Sequence, residues 1–128
     1  PFNNNSFHAT TIAFGLRNFG NPPLGIAEMF RVLKPGGKTI ILEFSKSSNK
    51  IFGWFFEFYF GKITPIVGRL ISKHRTAYSY LPESVHTFNN KYDIKKNMLE
   101  AGYVGVKDKK LTFGVSTIYI GTKPEKVL

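Results

Sequence analysis

The chain has 128 residues, enough for one packed domain and too few for two. Its 18 Lys plus Arg against 8 Asp plus Glu give a formal charge of +10, which favours an anionic partner such as a phospholipid surface, a nucleic acid or an acidic ligand. There is no cysteine, which excludes a disulfide framework, a thiolate metal site and a cysteine nucleophile, and fits a cytoplasmic protein.

Pro1-Phe2 opens the chain without the charged n-region and apolar h-region of a signal peptide, and reads as the middle of a longer protein. Residues 1–8 are polar and turn-like, and residues 9–14 read as a short buried strand. That strand runs into Gly15-Leu16-Arg17-Asn18, a polar loop of the kind that holds ligands at the carboxyl ends of strands in open α/β sheets. Asn21 can cap a helix whose first turn tolerates Pro22 and Pro23. Ile26, Met29, Phe30 and Leu33 fall on one helical face, and Pro35-Gly36-Gly37 reads as the stop. Residues 39–44 are β-rich and continuous enough for a central strand, so the two strands and their helix predict a right-handed parallel βαβ unit.

Residues 45–50 read as a polar linker to an insertion at about 47–82. Residues 51–60 are dominated by aromatics, and Ile63, Ile66, Val67, Leu70 and Ile71 form a second apolar row around Thr64-Pro65, which predicts a helical hairpin. Glu57, Lys62 and Arg69 interrupt both rows, and neither reaches the roughly 18 apolar residues of a membrane span. Residues 73–82 are basic and tyrosine-rich. A helix is expected over 91–101, with Ile94, Met98 and Ala101 inward and Gly102 as its stop, and runs near 104–109 and 112–121 should pair as an antiparallel hairpin. The tail from Lys123 should fray.

Residues 12–18 (IAFGLRN), 29–37 (MFRVLKPGG) and 42–46 (LEFSK), in that order, resemble the signature blocks of the ubiquinone/menaquinone biosynthesis C-methyltransferase family. Residues 78–85 (YSYLPESV) and 111–115 (LTFGV) match its later blocks, and Pro1-Phe2 with Ser6-Phe7 resemble the segment before its fourth strand. The resemblance implies an α/β fold: the C-terminal half of a Rossmann-like class I methyltransferase sheet with a helical insertion and a closing antiparallel β-hairpin. It implies methyl transfer from S-adenosylmethionine to a ring carbon of a prenylated quinol. The Gly-rich loop and the acidic residues that hold most of that cofactor would lie before Pro1, so this stretch alone is expected to be inactive. Where some relatives carry a serine near the cofactor, this chain has Ala13.

The resemblance further implies Arg17 and Asn18 as catalytic residues, and Ala13, Phe14 and Gly15 as the cofactor side. It implies Leu16, Tyr78, Tyr80, Glu83 and Ser84 as the quinol side. A guanidinium with a pKa above about 12 is a poor base, so Arg17 suits stabilising a phenolate or orienting a water. A plain strand-end ion pair is the competing reading for Arg17, and a salt bridge the competing one for Glu43, which ends the next strand near the same cleft. His8, His74 and His86 lack metal-ligand spacing, and no metal is expected. The aromatic run could line the entrance for a polyprenyl tail, with Lys50, Lys62, Arg69 and Lys73 meeting an anionic membrane at its inner face, and a homo-oligomer stays open. A methyltransferase for another lipophilic or small-molecule acceptor is the enzymatic alternative. A non-catalytic basic module for membrane or nucleic acid is the other, although no nucleic-acid motif supports it and no nucleic-acid partner is expected.

Overall fold

A computed structural model describes the backbone of residues 1–45, 50–71 and 77–125. Within those spans it describes all side chains but those of residues 51, 52, 56, 60, 64, 77–83 and 113. Four strands, β1 (Phe7–Ala13), β2 (Leu33–Phe44), β3 (Val104–Leu111) and β4 (Ser116–Thr122), form one sheet in the order β1-β2-β4-β3. The helix α1 (Pro22–Val32) links β1 to β2, which pair in parallel from Ala9↔Lys38 to Ala13↔Leu42, as the βαβ reading predicts. β4 pairs antiparallel with both β2 and β3, closing the expected hairpin.

β2 is central, and its burial follows the period of a pleat. Thr39, Ile41 and Glu43 are buried on one face, while Ile40, Leu42 and Phe44 on the other are half-buried. α1 packs beside α5 (Ile94–Ala101), and Leu16, Ile26, Leu33, Ile41, Phe88, Ile94, Met98 and Tyr103 make the core. Asn21 caps α1 by accepting from the Leu24 amide at 3.1 Å, as expected. Asp93 caps α5 through the Lys96 amide at 3.1 Å, and this cap starts the helix at Ile94 rather than at 91.

α1 stops at Val32, earlier than its motif suggests. Leu33 has left the helix, with φ −71° and ψ 141°, and keeps its place in the core as the first residue of β2. Lys34 precedes a proline and is disfavoured in the helical region. The Pro35-Gly36-Gly37 segment is thus a bulge within the strand, where the register jumps from Phe7↔Leu33 to Ala9↔Lys38. Gly36 has φ +79°. A Cβ on Gly37 would stand 2.8 Å from the Lys34 carbonyl oxygen and 2.9 Å from that of His8, so its lack of a side chain lets β1 and β2 approach. Lys123 is also fastened rather than frayed: its Nζ donates to the carbonyls of Phe30, Arg31 and Leu33 at 2.8–3.3 Å, closing the end of α1.

The insertion departs from the predicted hairpin. α2 (Lys50–Phe58), a π-helical turn (Tyr59–Ile63) and α3 (Thr64–Ile71) follow one another without a break. Pro65, which has no N–H to donate to the continuing ladder, lies just after the π turn. α4 (Ala77–Lys91) packs against the π turn and α3 and runs past the expected boundary at 82. Part of the linker (46–49) and Lys73, His74 and Arg75 lie outside the described residues. Among the described residues, no helix is long and apolar enough to cross a membrane.

A chain of hydroxyls crosses the sheet face. The Tyr103 hydroxyl meets Thr39 Oγ1 at 2.6 Å, and Thr39 meets Thr10 at 2.6 Å. Burial pushes the Tyr103 hydroxyl up to about 12 against an ordinary value of 10.0. The neutral form is favoured in the folded state, so this contribution to stability is whole below about pH 10 and is lost as pH rises through about 12. In alkaline titration, tyrosinate absorbance from Tyr103 should emerge together with unfolding. Tyr103→Phe should remove that step, and ionisation of Tyr103 with the fold intact would contradict the assignment.

Candidate active site

The site is built where β1 ends. Phe14 donates its amide to the Leu42 carbonyl at 2.8 Å and then turns into the left-handed region at φ +54°, an uncommon conformation for a bulky residue. A single turn of 3-10 helix follows at Leu16–Asn18. Leu16, 0% exposed, pins this turn to the core; it offers packing rather than surface to a ligand. Asn18 is exposed on the same turn.

Arg17 lies between the two strand ends. Its Nη1 donates to the Phe14 carbonyl and to Glu43 Oε1, the latter at 2.8 Å. Glu43 Oε1 also accepts from the Phe44 amide at 3.0 Å, and Oε2 from the Arg17 amide at 3.2 Å. The Arg17 and Glu43 side chains are 10% and 1% exposed. The strand-end ion pair foreseen as the competing reading is therefore present. The guanidinium stands 5.4 Å from the centre of the Phe44 ring, which packs on Phe14 at 4.6 Å. Nε of Arg17 is buried without a hydrogen-bond partner among the described residues. A buried N–H left so costs about 1–3 kcal/mol, which gives the arginine a standing demand for one more acceptor.

An open cleft of about 450 Å³ adjoins this pair, within the range of small-molecule sites. Arg17, Phe19 and Gly20 form one wall, and Ser84, Thr87, Phe88 and Lys91 of α4, with the adjoining Tyr92, form the other. Of the expected quinol-side residues, Ser84 is thus brought beside Arg17; the side chains of Tyr78, Tyr80 and Glu83 lie outside the described residues. The sequence reading missed Thr87, Lys91 and Tyr92. The spacing of Ser84, Thr87, Phe88 and Lys91, at i, i+3, i+4 and i+7, carried the signal. Lys91 brings a second cation to the rim, its Nζ 5.3 Å from the centre of the Tyr92 ring.

Of the residues expected on the cofactor side, Ala13 is exposed and small, Gly15 has no side chain, and Phe14 offers an apolar ring. Small and apolar residues of this kind leave room for the methyl-bearing centre of a donor to approach closely. The nearby carboxylate, Glu43, is already committed to Arg17, so the polar ends of such a donor need groups other than these.

The same architecture occurs in an S-adenosylmethionine-dependent methyltransferase from Thermotoga maritima. The match covers 96% of this chain and 59% of that one, at a TM-score of 0.62 and 17% identity. The fold is that of class I S-adenosylmethionine-dependent methyltransferases. Residues 1–123 match the ubiE/COQ5 methyltransferase family, and the chain belongs to that family. It is 44% identical over 123 residues to a ubiquinone/menaquinone biosynthesis C-methyltransferase UbiE of Geotalea daltonii, covering 96% of this chain and 52% of the relative. It is 43% identical over 124 residues to a demethylmenaquinone methyltransferase of Thermus thermophilus, covering 97% and 56%. The chain therefore spans about half the length of the curated relatives it matches.

Proposed function

We propose that this chain is the acceptor-side half of an enzyme that methylates a ring carbon of a prenylated quinol, of the demethylmenaquinol type. The observation that carries the reading is the Arg17–Glu43 pair, set at the carboxyl ends of β1 and β2 and opening on the cleft, in a chain whose relatives are named for this chemistry. Ala13, Phe14 and Gly15 would hold one side of S-adenosylmethionine, which when bound supplies a methyl group on a sulfonium. A quinol carbon becomes nucleophilic as a neighbouring phenol ionises. Arg17 is fitted to stabilise that oxyanion, because its orientation is set before substrate arrives. The ring carbon gains the methyl group and releases its hydrogen as a proton to solvent. The two walls of the cleft would hold the ring in line at roughly 3–3.5 Å from the methyl group.

An anionic membrane surface as partner is supported by the 50–71 helix. It exposes Trp54, Phe58, Tyr59, Ile66, Val67 and Leu70, with Lys50, Lys62 and Arg69 also exposed. One assay tests both parts. The full-length enzyme, given labelled S-adenosylmethionine and a demethylated prenyl quinol in vesicles, should place label on the quinol ring, and faster when the vesicles carry anionic lipid. Label on a water-soluble phenol but none on the quinol would shift the reading to another acceptor. Equal rates in neutral and anionic vesicles would remove the membrane part.

A further inference from the structure

Resting on the reading of Arg17 as the group that faces the quinol oxygen, we infer that Glu43 is a positioning residue. It sets the direction of the Arg17 guanidinium and tunes the field that the guanidinium exerts in the cleft. Three donors converge on this one carboxylate: Arg17 Nη1 at 2.8 Å, the Phe44 amide at 3.0 Å and the Arg17 amide at 3.2 Å. It therefore holds both the side chain of Arg17 and the turn that carries it. With the side chain 1% exposed and both oxygens accepting, Glu43 has no surface from which to take a substrate proton. Its place explains its chemistry. Position 43 continues the buried face of β2 after Thr39 and Ile41, so a carboxylate there is desolvated and needs the cation and backbone donors that meet it. Among the described residues, Arg17 uses Nη1 alone for Glu43 and Phe14, and the rest of the fork has no partner there.

The charge matters separately from the geometry. Beside Glu43, Arg17 acts as half of a nearly neutral pair, so its pull on an ionising phenol is tempered. Among the described residues, the other charged or titratable groups facing this region are Lys91 at the end of α4, the adjoining Tyr92, and Tyr119 from β4. The negative charge of Glu43 helps to keep the Tyr119 hydroxyl above its ordinary range, after the larger effect of burial. Removing the Glu43 charge takes away the counter-charge described beside Arg17 and favours the phenolate.

The experiment uses the full-length enzyme with Glu43→Gln and Glu43→Asp, and follows the pH dependence of kcat. In Glu43→Gln, kcat should fall by about 10- to 100-fold through lost orientation, with KM changed far less. The acid limb should move to lower pH by about 0.5–1 unit, because the phenol ionises more readily. Glu43→Asp keeps the charge, so its limb should stay at the wild-type pH while part of kcat returns. A limb that stays at the wild-type pH in Glu43→Gln, or an undiminished kcat there, overturns the inference. Guanidinium NMR gives a second readout that needs no turnover. The Arg17 Nη signals should be resolved by slow rotation in the wild type and Glu43→Asp, and averaged in Glu43→Gln. If the wild type methylates no quinol, the functional reading fails while the NMR still decides the positioning role; equally averaged signals in all three proteins overturn it.

Discussion

Arg17→Ala should cost the enzyme twice. Glu43 would lose its only side-chain cation among the described residues while remaining on the core face of β2. Removing one partner of such a pair typically costs about 3–5 kcal/mol. That is a large share of the roughly 5–15 kcal/mol by which a domain is stable. Independently, the loss of a preset donor to a developing oxyanion should lower kcat by about 100- to 1,000-fold. The two effects separate in the double variant Arg17→Met/Glu43→Leu. Apolar replacement of a buried pair is often neutral or stabilising, so Tm should return towards the wild-type value while methyl transfer stays low. If the double variant regains the rate, Arg17 serves only the fold.

Leu16→Ala should be nearly as damaging for a different reason. Leu16 has no exposed surface and belongs to the cluster that includes Ile26, Ile41 and Phe88. Truncating it should cost about 2–5 kcal/mol from lost burial and the cavity left behind. The same side chain anchors the turn that carries Arg17, so kcat should fall as the turn loosens. The measurement is Tm alongside steady-state kinetics. A raised KM with an unchanged Tm would instead make Leu16 a substrate contact, as the family resemblance implies.

Where local pattern decides structure, the chain was readable. The β-rich run at 39–44, the Asn21 cap and the Gly102 stop each became what they suggested, because alternation and capping act over a few residues. The strands also met in the predicted parallel pair. What failed were features decided by distant neighbours. Pro35-Gly36-Gly37 looks like helix punctuation, yet His8 on β1 and Lys123 beyond β4 draw it into the sheet. Thr64-Pro65 looks like a break, yet the helix continues through it just after the π turn. In the site, position 17 was marked by its place after a strand. The closure of the Arg17–Glu43 pair spans 26 residues, and only the register of β1 on β2 determines it. The α4 wall was missed because that helix mixes tyrosines, polar residues and Pro82, which blurs its period.

Phe14 places two demands on one position. At φ +54° the backbone would be most relaxed with glycine, which lacks the Cβ that crowds the left-handed region. Yet its ring packs against Phe44, beneath the guanidinium, and its carbonyl reaches Arg17 because of that same turn. A mutation that stabilises the loop at this residue therefore takes away part of the support that keeps the arginine still. Selection for thermal resistance and selection for turnover should pull residue 14 in opposite directions, so its aromatic identity is a compromise between folding and chemistry.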